Sequence, residues 1–504
     1  MMGKTKIAGR IAVASLLAVS VVVTARAQNA PGTDAAPPPQ GGTVLRNRAP
    51  VAKNLLQVRV PRPQEFKLPN GVRVFVLEDH RLPTVSIQLS LKAGRLFDVK
   101  PGVAEITASL LREGTTTRTA RQIADETERI GADAGASAGP ELATISASSL
   151  SEYTDRLVAL VADLAQNPSF PEDRVARVKF QRAAALAQQR GDPTFLAAEL
   201  SARVLYGDTP YSRIAPTPEQ VNAITQSDLR AFHQKSYQPT GAVIGIAGDV
   251  NARDVVAKLG AAFANWKAAS GAVEPVLPTA AFAPKTATHI FLVDRPGSAQ
   301  TVLSFGNVAL SRTDPDYIPL QIANRVLGGS GSARLFQQLR EVKGYTYGAY
   351  STLSAPRWPG TFGASASVRT PVTEPAVGEF LNEFKRLQTE PVSIAELDRA
   401  KRAIVGSFAR TLESPDSVLS RFLELVQYDL PLDYWDRYPA RVEAVTPADI
   451  ARVARKYLGE NRVQLIAVGE RSVIEPGLKK YGPVDVYDAS GKPLSTSGAT
   501  NDGR

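Results

Sequence analysis

Few residues in this 504-residue chain could do chemistry, and their spacing narrows what they could do. The chain has three histidines, His80, His233 and His289, and no cysteine. No two of the histidines share a local motif, so the sequence spells no histidine- or thiolate-based metal site. Serines are plentiful, but none sits in a Gly-x-Ser-x-Gly elbow followed by Asp and His partners. Gly329-Ser330-Gly331 comes nearest and lacks the flanking pattern. The run Gly328-Gly329-Ser330-Gly331 also lacks the Lys-Ser/Thr of a phosphate-binding loop. Two groups remain. Within the helix-patterned stretch Gly102–Thr115, Glu105, Ala108 and Ser109 fall on one face: a lone carboxylate, a methyl and a hydroxyl. That set can neither hold a zinc ion nor activate a water. Further on, Arg340 and Tyr347 stand seven residues apart, a permanent cation and a neutral hydroxyl donor. Local physics offers each an ordinary role. Arg340 falls in the last turn of a helix pattern, where the dipole favours a cation. Tyr345, Tyr347 and Tyr350 are spaced as residues that pack a sheet.

These groups are set among mixed elements. Phe66–Val76 pairs two apolar runs across Asn70-Gly71, a hairpin signal, and Pro83–Leu91 alternates as a strand. Helical periodicity follows at 102–113 and 119–131, a strand pair at 132–149, and helices after Ser151 and around 172–190. The plan then repeats. Ala223–Leu229 matches Ala444–Ile450, 221 residues later, and each continues through a helix into an apolar strand ending in glycine, Ala242–Gly248 and Val463–Gly469. A period this long is not a solenoid. It predicts an α+β fold of two homologous domains of mixed sheet plus helices, 56–269 and 289–482, joined by a Pro/Ala-rich linker over 270–288. The tail 483–504 reads as disordered.

At the N-terminus, Lys4, Lys6 and Arg10 precede the apolar stretch Ile11–Thr24, and Ala25-Arg26-Ala27 supplies a small-x-small cleavage site. The apolar stretch is short of the roughly 20 residues a membrane helix needs. We therefore expect a signal peptide over 1–27, cut after Ala27, and a periplasmic protein. Residues 28–55 read as a disordered lead-in. The net charge of +10 is spread along the chain, without basic runs interleaved with aromatics, which argues against nucleic-acid binding.

The frame Gly102–Thr115 resembles the zinc helix of the pitrilysin/insulinase peptidases, Gly-Leu-Ala-His-x-x-Glu-His running on to Gly-Thr. Further shared segments are Asn70–Val74, Ala93–Asp98, Tyr206–Arg213 and Val293–Gln300. In that family two His bind zinc and the Glu between them is the general base; here those positions are Glu105, Ala108 and Ser109. The third ligand, a Glu on a later helix, falls by count near Arg182–Ala187, where there is no carboxylate. The resemblance therefore implies a non-catalytic subunit with no metal of its own, similar to the bacterial branch near mitochondrial processing peptidase. It implies a half-clamshell closed by a homologous partner that carries His-x-x-Glu-His and zinc and hydrolyses peptides. Arg340 and Tyr347 match the family's Arg-x6-Tyr pair, which reaches into the partner's site and donates to the substrate oxyanion. Gly328, Gly329 and Gly331 match a substrate-touching glycine-rich loop. The strand near Thr144–Ser148 matches an edge strand that binds extended peptide. A scaffold protein, or a stand-alone peptide-binding chamber, is the alternative.

Overall fold

The first sheet is built by alternation. Strand β3 (Thr84–Leu91) buries Val85, Ile87, Leu89 and Leu91, the period-two pattern of a strand with one face in a core. The structure, a computed structural model, describes residues 56, 58–268 and 284–495. The expected signal peptide and lead-in over 1–55 lie outside the described residues, as does most of the expected 270–288 linker.

Six strands make the first sheet: β1 (Gln64–Lys67), β2 (Arg73–Glu78), β3, β4 (Asp133–Ala138), β5 (Ala143–Leu150) and β6 (Val243–Gly248). Their order is β1-β2-β6-β3-β5-β4. The expected hairpin across Asn70-Gly71 is present, with β1 antiparallel to β2 and Gly71 at a φ of 92° that suits glycine. One expectation needs correction. The strand around Thr144–Ser148, β5, is internal, paired to β3 on one side and β4 on the other. The edge strand beside it is β4, at the opposite end of the sheet from β1.

Seven strands make the second sheet: β7 (His289–Asp294), β8 (Gln300–Val308), β9 (Thr346–Ser354), β10 (Thr361–Arg369), β11 (Gln464–Gly469), β12 (Val484–Tyr487) and β13 (Pro493–Ser495). They run β13-β12-β7-β11-β8-β10-β9. The parallel pair β2·β6 recurs as β7·β11, and the antiparallel series β6·β3·β5·β4 as β11·β8·β10·β9. The 221-residue repeat is thus a repeat of sheet topology, in an α+β fold. The tail expected to be disordered is structured to residue 495. Val484 and Val486 alternate with Asp485 and Tyr487 and bury themselves as β12 pairs with β7. That alternation is too short to stand out in the sequence.

Each half also lends a helix to the other's sheet. Helix α3 (Pro193–Tyr206) comes from the first half, yet Leu196, Ala197 and Leu200 form a small core with Val293, Val302, Ile466 and Val468 of the second. In return, α5 (Pro415–Gln427) lies on β6 and β2, with Leu419 and Leu423 over Gly245. A methyl at Gly245 would come 2.9 Å from Leu419, so this glycine makes room for the crossing helix. Two hairpin tips join nearby. The buried Glu141, between β4 and β5, accepts hydrogen bonds from the Tyr211 hydroxyl (2.9 Å) and the Arg357 N–H (3.1 Å), between β9 and β10. Exchange of helices makes Asn54–Arg504 one compact unit.

Candidate functional site

Helix α1 (Val103–Leu110) carries Glu105, Ala108 and Ser109, the three positions that align with the metal motif of the resembled family. It starts where Gly102 turns at φ 94°, and the Asp98 carboxylate accepts from the N–H groups of Gly102 and Ala104, both at 2.7 Å. These bonds satisfy the orphan donors of the first turn. Burial nevertheless outweighs them and pushes the Asp98 pKa up to about 6. Along the helix, Val103, Ala104, Ile106 and Leu110 face the core.

On the remaining face, Ala108 is buried, and the Ser109 hydroxyl folds back to donate to the Glu105 carbonyl at 2.9 Å. Glu105 is held by the guanidinium of Arg182 at 2.8 Å, from α2 (Glu172–Gln189). A second pair, Glu113 with Arg177 at 2.6 Å, joins the same two segments further on. The segment where the family's third ligand falls by count thus presents a cation to the first-ligand position. A bound zinc ion and an arginine compete for that place, and the donor set does not suit the metal. Among the described residues no three of His, Cys, Asp or Glu come together in a way that could hold a metal ion. The histidines are occupied elsewhere: His80 with Asp249, His289 with Asp485, and the buried His233 with the Ala165 carbonyl at 2.9 Å.

The second candidate group lies at the β9 edge of the other sheet, on two backbone irregularities. Arg340 sits in a π-helical turn, Gln337–Val342, a rare geometry common at functional sites. The turn closes as the Arg340 carbonyl accepts from the N–H of Gly344, whose φ is 62°. The Arg340 side chain is half exposed. It lies 4.8 Å over the Phe336 ring and touches Glu341 only at 3.5 Å. Tyr347 sits at a β-bulge: β9 places two residues, Tyr347 and Gly348, against one in β10. The Thr346 hydroxyl pins the bulge by donating to the Ser367 carbonyl at 2.6 Å. Bulges re-aim side chains, and Tyr347 is 87% exposed, with Val342 and Tyr350 exposed beside it. An aromatic ring left this far in water contributes nothing to the core. The ordinary role as a sheet-packing residue does not apply to Tyr347.

The glycines divide. Gly328 ends α4 (Tyr317–Leu327) and is buried, and its carbonyl accepts from the Ser351 N–H on β9 at 3.1 Å. A Cβ there would lie 2.3 Å from that nitrogen. Gly329 is tied down by Arg325, whose guanidinium donates to its carbonyl at 2.7 Å. Only Gly331 is exposed, with nothing closer to a Cβ than Phe336 at 3.8 Å. The three glycines expected to touch substrate are thus placed differently from one another. Gly328 permits the close approach of a helix end to an edge strand, and Gly331 alone presents itself to solvent. Neither the π turn nor the bulge has a period that shows in the sequence; Gly344, at φ 62°, and Gly348, in the bulge, are their local marks.

Known proteins resemble the chain across both of its halves. The sequence matches family models described as insulinase (peptidase family M16), over residues 73–212, and peptidase M16 inactive domain, over residues 223–404. It is similar to an uncharacterised zinc protease of Streptomyces coelicolor, 28% identical over 80% of this chain and 88% of that one. A similar protein of Bacillus subtilis is 26% identical over 71% of this chain and 86% of its own. Among solved structures, a peptidase M16 inactive domain from Pseudomonas fluorescens superposes with a TM-score of 0.74, at 28% identity, covering 81% of this chain and 98% of that one. A protease from Helicobacter pylori shares the fold at a TM-score of 0.75 and 20% identity, over 82% of this chain and 100% of its own.

Proposed function

The chain belongs to peptidase family M16, the insulinase family, and from that premise we propose that it is a non-catalytic subunit of a heterodimeric zinc metallopeptidase. One contrast carries the reading. The metal positions of α1 are filled by the Glu105–Arg182 ion pair, while Arg340 and Tyr347 stand exposed on a π turn and a bulge. The chemistry lost from one half is the metal's and the general base's; the donors in the other half are intact.

In this proposal a homologous partner supplies the His-x-x-Glu-His helix and its zinc. This chain closes the chamber, helps select extended peptides and brings two donors to the partner's site. The charged guanidinium and the neutral phenol hydroxyl would hydrogen-bond the substrate carbonyl oxygen as it gains negative charge. Preplaced donors of that kind are worth about 3–4 kcal/mol each. Export through the N-terminal signal peptide, with action in the periplasm, belongs to the same proposal.

The test has two parts. Affinity capture of the tagged chain from periplasmic extract should bring down a relative of similar size bearing His-x-x-Glu-His, with zinc and peptidase activity in the pair. In that pair, Arg340→Ala or Tyr347→Phe should cut turnover at least tenfold and leave thermal unfolding unchanged, because both side chains are exposed. Capture of the chain alone or as a homodimer would favour the scaffold or peptide-binding alternative. Normal turnover in both variants would remove the oxyanion role.

A further inference from the structure

Beside the first turn of α1 lies a cavity of about 100 Å³, lined by Arg95, Asp98, Glu105, Ala138, Arg213 and Pro216 among others. Its charges do not cancel locally. Asp98 is engaged by the N–H groups of Gly102 and Ala104, and Glu105 by Arg182. The guanidinium groups of Arg95 and Arg213 form no hydrogen bond or ion pair with any of the described residues. Arg95 is half-buried, and that desolvation lowers its pKa; Glu105 and Asp98 pull on its charge from a distance without bonding it. A cation withdrawn from water without a partner is costly, and chains keep such groups where an anion comes to meet them. The cavity has the volume of about three waters, enough for a carboxylate and one or two methylenes. Ala138 ends β4, an edge strand of its sheet, and also lines the cavity. An extended chain laid along that edge would deliver a side chain, or its own end, to the two arginines.

We propose that this cavity is an acid-selective peptide subsite, in which Arg95 and Arg213 clasp a carboxylate of an extended peptide. Arginine forks suit carboxylates because two parallel N–H groups meet two oxygens. The carboxylate can be an Asp or Glu side chain or a peptide C-terminus, and the chemistry of the clasp is the same. The subsite shares with the subunit reading the premise that this chain meets extended peptides, and it requires neither the partner nor zinc.

The test is binding by the full chain alone, read by fluorescence anisotropy at low salt. Three labelled peptides are compared: an amidated peptide with one central Glu, its Gln twin, and the Gln peptide with a free C-terminal carboxylate. At least one acidic peptide should bind tenfold or more tighter than the amidated Gln twin, and which one does so identifies the source of the carboxylate. Arg213→Ala, at an exposed position, should remove most of the preference. Arg95→Ala should remove it, and Arg95→Lys should keep part of it, with thermal unfolding measured for each. Equal binding of acidic and neutral peptides overturns the subsite while leaving peptide binding by the chain intact. A preference that survives in the double Arg95→Ala/Arg213→Ala variant overturns it too, as does failure of every peptide to bind at about 1 mM. Partner capture and turnover, which decide the subunit reading, are separate measurements.

Discussion

Replacing Gly328 by alanine separates two explanations of the glycine-rich loop. A methyl at this position would come to 2.3 Å from the Ser351 backbone nitrogen and 2.8 Å from its hydroxyl. Neither atom can give way easily. The nitrogen belongs to β9, and the hydroxyl donates to the Asn324 carbonyl at 3.1 Å and to its side-chain oxygen at 2.7 Å. The end of α4 and the strand must therefore move apart, at a cost typical of overpacking, about 1–3 kcal/mol. The bond from the Ser351 N–H to the Gly328 carbonyl is weakened or lost, worth about 1 kcal/mol more. The sum is about 2–4 kcal/mol. With a denaturant slope of about 3 kcal/mol/M, the urea midpoint of the chain should fall by roughly 1 M. Gly331→Ala, with its nearest neighbour at 3.8 Å, should stay within about 0.5 kcal/mol of wild type. Circular dichroism during urea titration of both variants reads the difference. Because Tyr347 lies four residues before Ser351 on the same strand, Gly328→Ala should also lower turnover of the complex. If Gly328→Ala unfolds with the wild-type protein, the close approach is not what this position requires, and substrate contact becomes the better account of the glycine.

Two further outcomes are expected. Burial lowers the His233 pKa to about 4, so between pH 6.5 and 4 the unfolded chain takes up a proton that the folded chain does not. The His233 contribution to stability is full above pH 6.5 and falls with acidification, by about 3 kcal/mol by pH 4, while Asp98, raised to about 6, acts in the opposite sense over the same window. Thermal melts of wild type and His233→Leu across that window should converge as pH falls, and parallel curves would show that His233 is not the acid-sensitive group. The second concerns the face of α1 that carries Glu105, Ala108 and Ser109. Glu105→His, Ala108→Glu and Ser109→His combined should bind zinc weakly, because Arg182 remains in the way. Adding Arg182→Glu should tighten binding at least tenfold by chelator competition, about 1.4 kcal/mol. Wild-type chain that holds stoichiometric zinc after dialysis would refute this account of the α1 face.

The sequence by itself determined what the side chains are able to do. Glu105, Ala108 and Ser109 cannot make a two-histidine site in any fold, and the repeat at 221 residues shows as a repeat of sheet order. Both follow from information local to the chain: residue chemistry, and periods of two and 3.6 that reveal which face of each element is buried. What only the tertiary structure decided were the neighbours. Arg182 meets Glu105 across 77 residues. The β4 strand, and not β5, takes the edge, and α3 and α5 cross to each other's sheets. Gly328 meets Ser351, and Arg95 and Arg213 come to one cavity. Such pairings are set by closure of sheet hydrogen bonds and burial of helix faces over long stretches of chain. Many partners would satisfy the same local pattern, and only the packed whole selects among them.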